Sequence, residues 1–211
     1  MVLNDQIKKE IKEHFTILKD KVRLIVFTQK IECQFCEENR KLVEEIGALS
    51  DKISVEVYNF ITDKNKSEEY RIDKIPAIAV IGTKDYNIRL YGIPSGYEFV
   101  SLIEAIRTVS TTEHRLSAET QKRMKAVKNA VHIQVFVTPT CPYCPQAVIL
   151  AHRLACYHER VRSDMVEVTE FPHLANKYGV MGVPRSVINE DLYIEGAVPE
   201  KVFVDKVLES Y

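Results

Sequence analysis

The chain has 211 residues, 45 % of them apolar and 28 % charged, the make-up of a globular protein with a buried core and length for one large domain or two of about 100 residues each. A formal net charge of −1 gives no electrostatic reason to expect a nucleic acid or an anionic membrane as partner. No apolar run approaches the roughly 20 residues that span a bilayer, and the charged N-terminus MVLNDQIKKEIKEHF has no signal-peptide core, so the expected location is the cytoplasm.

An amphipathic helix is predicted first, with Ile7, Ile11, Phe15 and Leu18 on one face. RLIVFT (23–28) then has the β-branched and aromatic content of a buried strand. It leads into Cys33-Gln34-Phe35-Cys36 and a helix whose apolar face carries Phe35, Leu42, Ile46 and Leu49. ISVEVYNF (53–60) reads as a second strand, YRIDKIP ends at Pro76, and AIAVIG and NIRLYG are two more strands before a closing helix at about 96–108. The polar, proline-free stretch STTEHRLSAET (110–120) marks a boundary, dividing the chain into units 1–112 and 113–211.

Beyond it the order repeats. A helix with Leu116, Met124 and Val127 precedes the strand HIQVFVT (132–138), then Cys141-Pro142-Tyr143-Cys144 and a helix with Ala147, Ala151, Leu154 and Ala155 on one face. DMVEVTEF (164–171) shares Val-Glu-Val with ISVEVYNF; YGVMGVP ends at Pro184; RSVIN, LYIEG and a helix at about 199–209 follow. Cys33 to Pro76 is 43 residues, and so is Cys141 to Pro184; Tyr70 and Tyr178 each precede their proline by six. Each unit therefore reads strand, helix, strand, helix, strand, strand, helix, an internal duplication.

A C-x-x-C after a first strand, with an apolar residue and a proline about 43 positions on, resembles the thioredoxin fold, and Cys-Pro-Tyr-Cys is the glutaredoxin arrangement. Two such units in one chain resemble the glutaredoxin-like protein disulfide oxidoreductases of thermophilic archaea and bacteria. The resemblance implies an α/β chain of two tandem thioredoxin-like folds, each a central mixed sheet flanked by helices. It implies thiol–disulfide exchange on protein disulfide and dithiol substrates, with no metal or organic cofactor. Cys33, Cys36, Cys141 and Cys144 are then catalytic, and Ile75-Pro76 and Val183-Pro184 are cis-proline loops that meet the substrate backbone. Two departures stand out. Gln34-Phe35 is neither the thioredoxin nor the glutaredoxin dipeptide, and the position six before each first cysteine, an acid in thioredoxins, holds Phe27 and Val135.

Thiol chemistry accounts for the placement. A cysteine at a helix start meets unpaired backbone N–H groups and the positive end of the helix dipole, both of which favour the attacking thiolate. In the implied roles Cys33 and Cys141 attack, and Cys36 and Cys144 resolve. Glu32, Glu37 and Glu38 flank the first pair and no charge flanks the second, so Cys141 is expected to be the more acidic nucleophile. Glu56 and Glu167, in their matching strands, are candidate proton acceptors or else plain solvated strand positions. Zinc is the rival use of the four cysteines, disfavoured by the 108 residues between Cys33 and Cys141. Cys156 is expected to be a buried structural thiol, and the histidines to be surface or helix residues remote from the pairs. Two other functions stay open: a dithiol electron carrier between a thioredoxin-reductase-like flavoprotein and a peroxidase, and a redox-sensing or chaperone module that is not an enzyme.

Overall fold

VRLIVFT, with four consecutive buried residues, forms strand β1 (Val22–Thr28) at the heart of the first half. The computed structural model describes residues 3–210, so residues 1, 2 and 211 of the two expected units lie outside the description. Ahead of β1 runs helix α1 (Asp5–Phe15), capped by Asn4, whose Oδ1 accepts from the Ile7 N–H at 2.9 Å. After it come α2 (Cys36–Gly47), β2 (Ile53–Asn59), α3 (Lys64–Glu69), β3 (Ala77–Ile81), β4 (Asp85–Tyr91), a 3₁₀ turn (Gly96–Glu98) and α4 (Phe99–Thr111). The second half repeats the order with α5 (Ala118–Met124), β5 (Val131–Val137), α6 (Cys144–Tyr157), β6 (Val161–Glu167), α7 (Pro172–Lys177), β7 (Arg185–Ile188), β8 (Leu192–Glu195) and α8 (Glu200–Leu208). Leu18, Leu116 and Val127, expected within the leading helices, lie beyond their ends yet are buried.

The two halves merge into one eight-stranded sheet in the order β2-β1-β3-β4-β6-β5-β7-β8. The seam is parallel pairing of β4 with β6, from Ile88 opposite Ser163 to Tyr91 opposite Val166. Within each half the first two strands pair in parallel and the last two antiparallel. Following the directions across the sheet, β1 is antiparallel to β3, β3 to β4, β4 parallel to β6 and β6 to β5. Strands β1 and β5 therefore point the same way, and the C-x-x-C segments that follow them emerge at the same end of the sheet.

Side-chain alternation separates two apolar layers. One face is covered by α1, α2, α4, α5, α6 and α8, through Phe15, Ile46, Ile106, Met124, Leu154 and Phe203 among others. The other is covered more thinly, by α3, α7 and aromatic side chains: Phe27 and Phe136 in the strands meet Tyr70, Phe171 and the partly buried Tyr58 and Tyr178. Phe27 lies tilted against Tyr58 and edge-on to Tyr70, and Phe136 lies tilted against Tyr178. Phe27 and Phe136 thus hold equivalent places, one six and the other five residues before its cysteine. The loop after β1 is one residue longer than that after β5, and Glu32 in it takes a left-handed φ of 59°.

Strand β6 begins three residues earlier than its sequence pattern suggests. Arg162 lies in that added stretch, and Asp164, the expected first residue of the strand, is fully buried, bonded to His132 Nε2 at 2.6 Å and to Arg162 Nε at 2.9 Å. Burial opposes its ionisation, but those two partners outweigh it and hold its pKa at about 2. Arg162 also crosses the seam to donate to the Tyr91 hydroxyl at 2.8 Å.

Candidate active sites

Each C-x-x-C closes on itself at a helix start. Cys33–Cys36 and Cys141–Cys144 are disulfides with a Cα–Cα distance of 5.5 Å in both cases. Cys36 and Cys144 are the first residues of α2 and α6; Cys33 and Cys141 lie just ahead of the helix, with Phe35 and Tyr143 at the N-cap positions. This order makes the first sulfur the reachable one: Cys33 is half-buried against 1 % exposure for Cys36, and Cys141 is 8 % exposed against 0 % for Cys144. Cys141 Sγ accepts from the Cys144 N–H at 3.1 Å, so the first amide of α6 points at the sulfur that would carry charge after reduction.

Both expected cis-prolines are present, and the second is beside its cysteine pair. Ile75–Pro76 and Val183–Pro184 are cis. Both prolines are buried, and the residue before each is half-exposed. Val183 O lies 3.6 Å from Cys141 Sγ. Each proline carbonyl is held from behind, Pro76 O by the Gly92 N–H at 2.9 Å and Pro184 O by the Gly196 N–H at 2.8 Å. At the second site the backbone ahead of the cis bond is thus set beside its disulfide.

One cysteine pair follows β1 and the other follows β5, with β3, β4 and β6 between those strands. Among the described residues no cluster of three or more metal-ligating side chains occurs.

The candidate proton acceptors part company. Glu56 is half-exposed, held by Arg23 Nη1 at 3.2 Å and by the Tyr58 hydroxyl at 2.8 Å, and the structure does not bring it to the thiols. Glu167 is 2 % exposed at the end of β6, where its carboxylate accepts from Thr169 Oγ1 at 2.6 Å and the Glu170 N–H at 2.8 Å. Two carboxyls that the sequence did not single out are tied to backbone that leads to the sites. Glu98 is 1 % exposed, accepts from Ser101 Oγ at 2.6 Å, and follows Tyr97, whose N–H bonds to Pro139 O two residues before Cys141. Glu170 is half-buried and accepts from the Ile93 N–H at 2.7 Å. Burial pushes both to about 7, and each has one buried oxygen without a partner. Nothing in the local pattern around either marks an acid that will be covered by the opposite half.

Cys156 is a buried thiol, its Sγ 3.8 Å from Thr108 O and its pKa raised by burial to about 11. His152, on α6, is buried rather than exposed, bonded to Ser163 Oγ at 2.8 Å, and burial lowers its pKa to about 4.

A family model described as a thioredoxin domain matches residues 131–209. The crystal structure of a protein disulfide oxidoreductase from Aeropyrum pernix matches with a TM-score of 0.91 and 32 % identity, over 98 % of this chain and 93 % of that one. The NTD_N/C domain of an alkyl hydroperoxide reductase from Enterococcus faecalis matches with a TM-score of 0.90 and 27 % identity, over 97 % and 99 %. Among curated proteins, an NADH dehydrogenase of Bacillus subtilis is 21 % identical over 196 residues, 93 % of this chain but 36 % of that protein. The chain spans about a third of the length of the curated relatives it matches first.

Proposed function

Because this chain belongs to the protein disulfide oxidoreductases, thioredoxin-fold proteins with two C-x-x-C sites, we propose that it exchanges dithiols for disulfides in polypeptide substrates at Cys33–Cys36 and Cys141–Cys144. In the reducing direction the Cys33 or Cys141 thiolate attacks a substrate disulfide, forming a mixed disulfide and releasing one substrate thiolate. Cys36 or Cys144 then loses its proton and attacks the mixed disulfide, leaving the protein oxidised and the second substrate thiol free. Oxidation is the same path reversed. No metal or organic cofactor enters either step.

The observation that carries this reading is the contact of Val183 O with Cys141 Sγ beside a cis-proline, which sets a substrate-pairing backbone edge against the reactive sulfur. Backbone pairing is blind to substrate side chains, as broad substrate scope requires. Polypeptide substrates are supported by apolar side chains that project near the sites: Ile31 is 75 % and Ile61 65 % exposed in the loops after β1 and β2, Tyr143 65 % within the second motif, and Met181 95 % just before Val183. A boundary in the connection 112–117, between α4 and α5, then assigns one site to each unit.

The curated relatives, an NADH dehydrogenase and an alkyl hydroperoxide reductase of Xanthomonas campestris, point to redox partners. They support a second reading, a dithiol carrier taking electrons from a thioredoxin-reductase-like flavoprotein and passing them to a peroxidase. Among the described residues no helix is long and apolar enough to cross a membrane; we place the protein in the cytoplasm.

Insulin reduction by dithiothreitol tests the proposal. The wild type is expected to accelerate it, Cys33→Ser/Cys36→Ser and Cys141→Ser/Cys144→Ser each to retain part of the rate, and the fourfold variant none. A wild type no faster than the fourfold variant would leave only the sensing or chaperone module.

A further inference from the structure

The seam between the halves ends at the first cis-proline loop. Beyond the pairing of Tyr91 with Val166, Gly92 comes alongside Glu167, with φ +89°. A Cβ on residue 92 would stand 2.6 Å from Glu167 Cβ and 2.9 Å from Glu170 Oε1, so the chain passes there only as glycine. The Gly92 N–H holds Pro76 O, and the next amide, Ile93, donates to Glu170 Oε1 at 2.7 Å. Two adjacent amides of one turn thus join the cis-proline loop of the first half to a carboxyl of the second. Glu170 Oε2 is buried without a partner.

We propose that Glu170, supplied by the C-terminal half, is a positioning residue for the N-terminal cysteine pair, bracing the Pro76 loop through Ile93 and Gly92 more tightly when ionised than when protonated. The inference rests on the N-terminal pair exchanging thiols as proposed above. An ionised acceptor makes a shorter and stronger hydrogen bond than a neutral one, so the turn tightens on deprotonation. Two charged groups bear on Glu170: Glu167 from its own half and Glu38, two residues after Cys36, from α2. Gly92 and Ile93 bring only amides. Burial first, and the two like charges after it, outweigh the Ile93 bond and set the titration at about 7.

Two readouts test this. In the ¹H–¹⁵N spectrum of the whole chain, the Ile93 amide is expected to titrate with a midpoint near 7, and in Glu170→Gln to lose that titration. For activity, the Cys141→Ser/Cys144→Ser background isolates the first site, with a peptide disulfide and bis(2-hydroxyethyl) disulfide as substrates. The ratio of their rate constants cancels the thiolate fraction. It is expected to rise about fivefold between about pH 5.5 and about pH 8.5, the size of one lost charge assistance, and to stay at its low value throughout in Glu170→Gln. Glu170→Gln keeps a neutral acceptor, so a flat ratio in a folded variant separates charge from mere filling of space. A ratio that still rises in Glu170→Gln, or the same loss in the Cys33→Ser/Cys36→Ser background, would overturn the assignment. No exchange even with the small disulfide would overturn the reading of the first site itself, and this inference with it.

Discussion

Cys156 shows how environment decides what a thiol does. Four cysteines sit at helix starts, whereas this one is buried in α6 with its sulfur near Thr108 O of the other half and its pKa raised to about 11. It is expected to resist iodoacetamide at pH 8 in the reduced, folded protein and to react only on unfolding, which mass spectrometry of trapped samples reads directly. Glu98 makes the same point with a carboxyl. Burial raises it from an ordinary 4.5 to about 7, Ser101 opposing weakly. The folded state therefore keeps a proton that the unfolded chain loses above 4.5. The contribution is greatest below pH 4.5 and is lost as pH rises through 7, roughly 3 kcal/mol in all. Urea unfolding at pH 5 and pH 8 is expected to show a smaller loss in Glu98→Gln than in the wild type, the part that remains belonging to Glu170, which burial raises in the same way. His152 works in the opposite sense: with its pKa lowered to about 4, its contribution is complete above 6.5 and falls away towards pH 4.

The first turns of α2 and α6 differ in the way that decides reactivity. By sequence, three carboxylates crowd Cys33, but Glu37 is tied to Arg40 and to Lys41, both at 3.2 Å. Its charge is largely answered within the helix. The second site gains from a specific amide, that of Cys144 on Cys141 Sγ. Cys141 is therefore expected to alkylate at lower pH than Cys33 when each is measured with the other pair replaced by serine, and Lys41→Ala to move Cys33 further up while leaving Cys141 in place. At this scale much was legible. The matched 43-residue offsets located both cis-prolines, and β-branched runs located the strands, because these are local signals repeated twice. The start of β6 was not, since Arg162 looks like a loop residue until Asp164 and Tyr91 are brought beside it. Glu98 and Glu170 escaped for the same reason: their burial is made by the other half of the chain.

The whole molecule is joined by backbone as well as by side chains. β4 and β6 would be open edges if the halves stood apart, and their pairing removes both. Thermal unfolding of the intact chain is expected to give one calorimetric transition rather than two. A fragment of residues 113–211 is expected to dimerise or aggregate through the bared β6, as size-exclusion chromatography would show; a monodisperse, folded monomer would mean that the seam is dispensable.

The common direction of β1 and β5 has a kinetic consequence. Four strand spacings separate them, at least about 20 Å between the two reactive ends, which an extended chain crosses in six or more residues at about 3.3 Å each. A polypeptide tethered at Cys141 therefore presents its remaining cysteines to Cys33 at a high effective concentration, without returning to solution. Such a protein can act processively. A peptide with two disulfides set ten or more residues apart is expected to leave the wild type with both reduced, the one-disulfide form staying scarce in quenched time courses, and to pass visibly through that form when either site is replaced by serine.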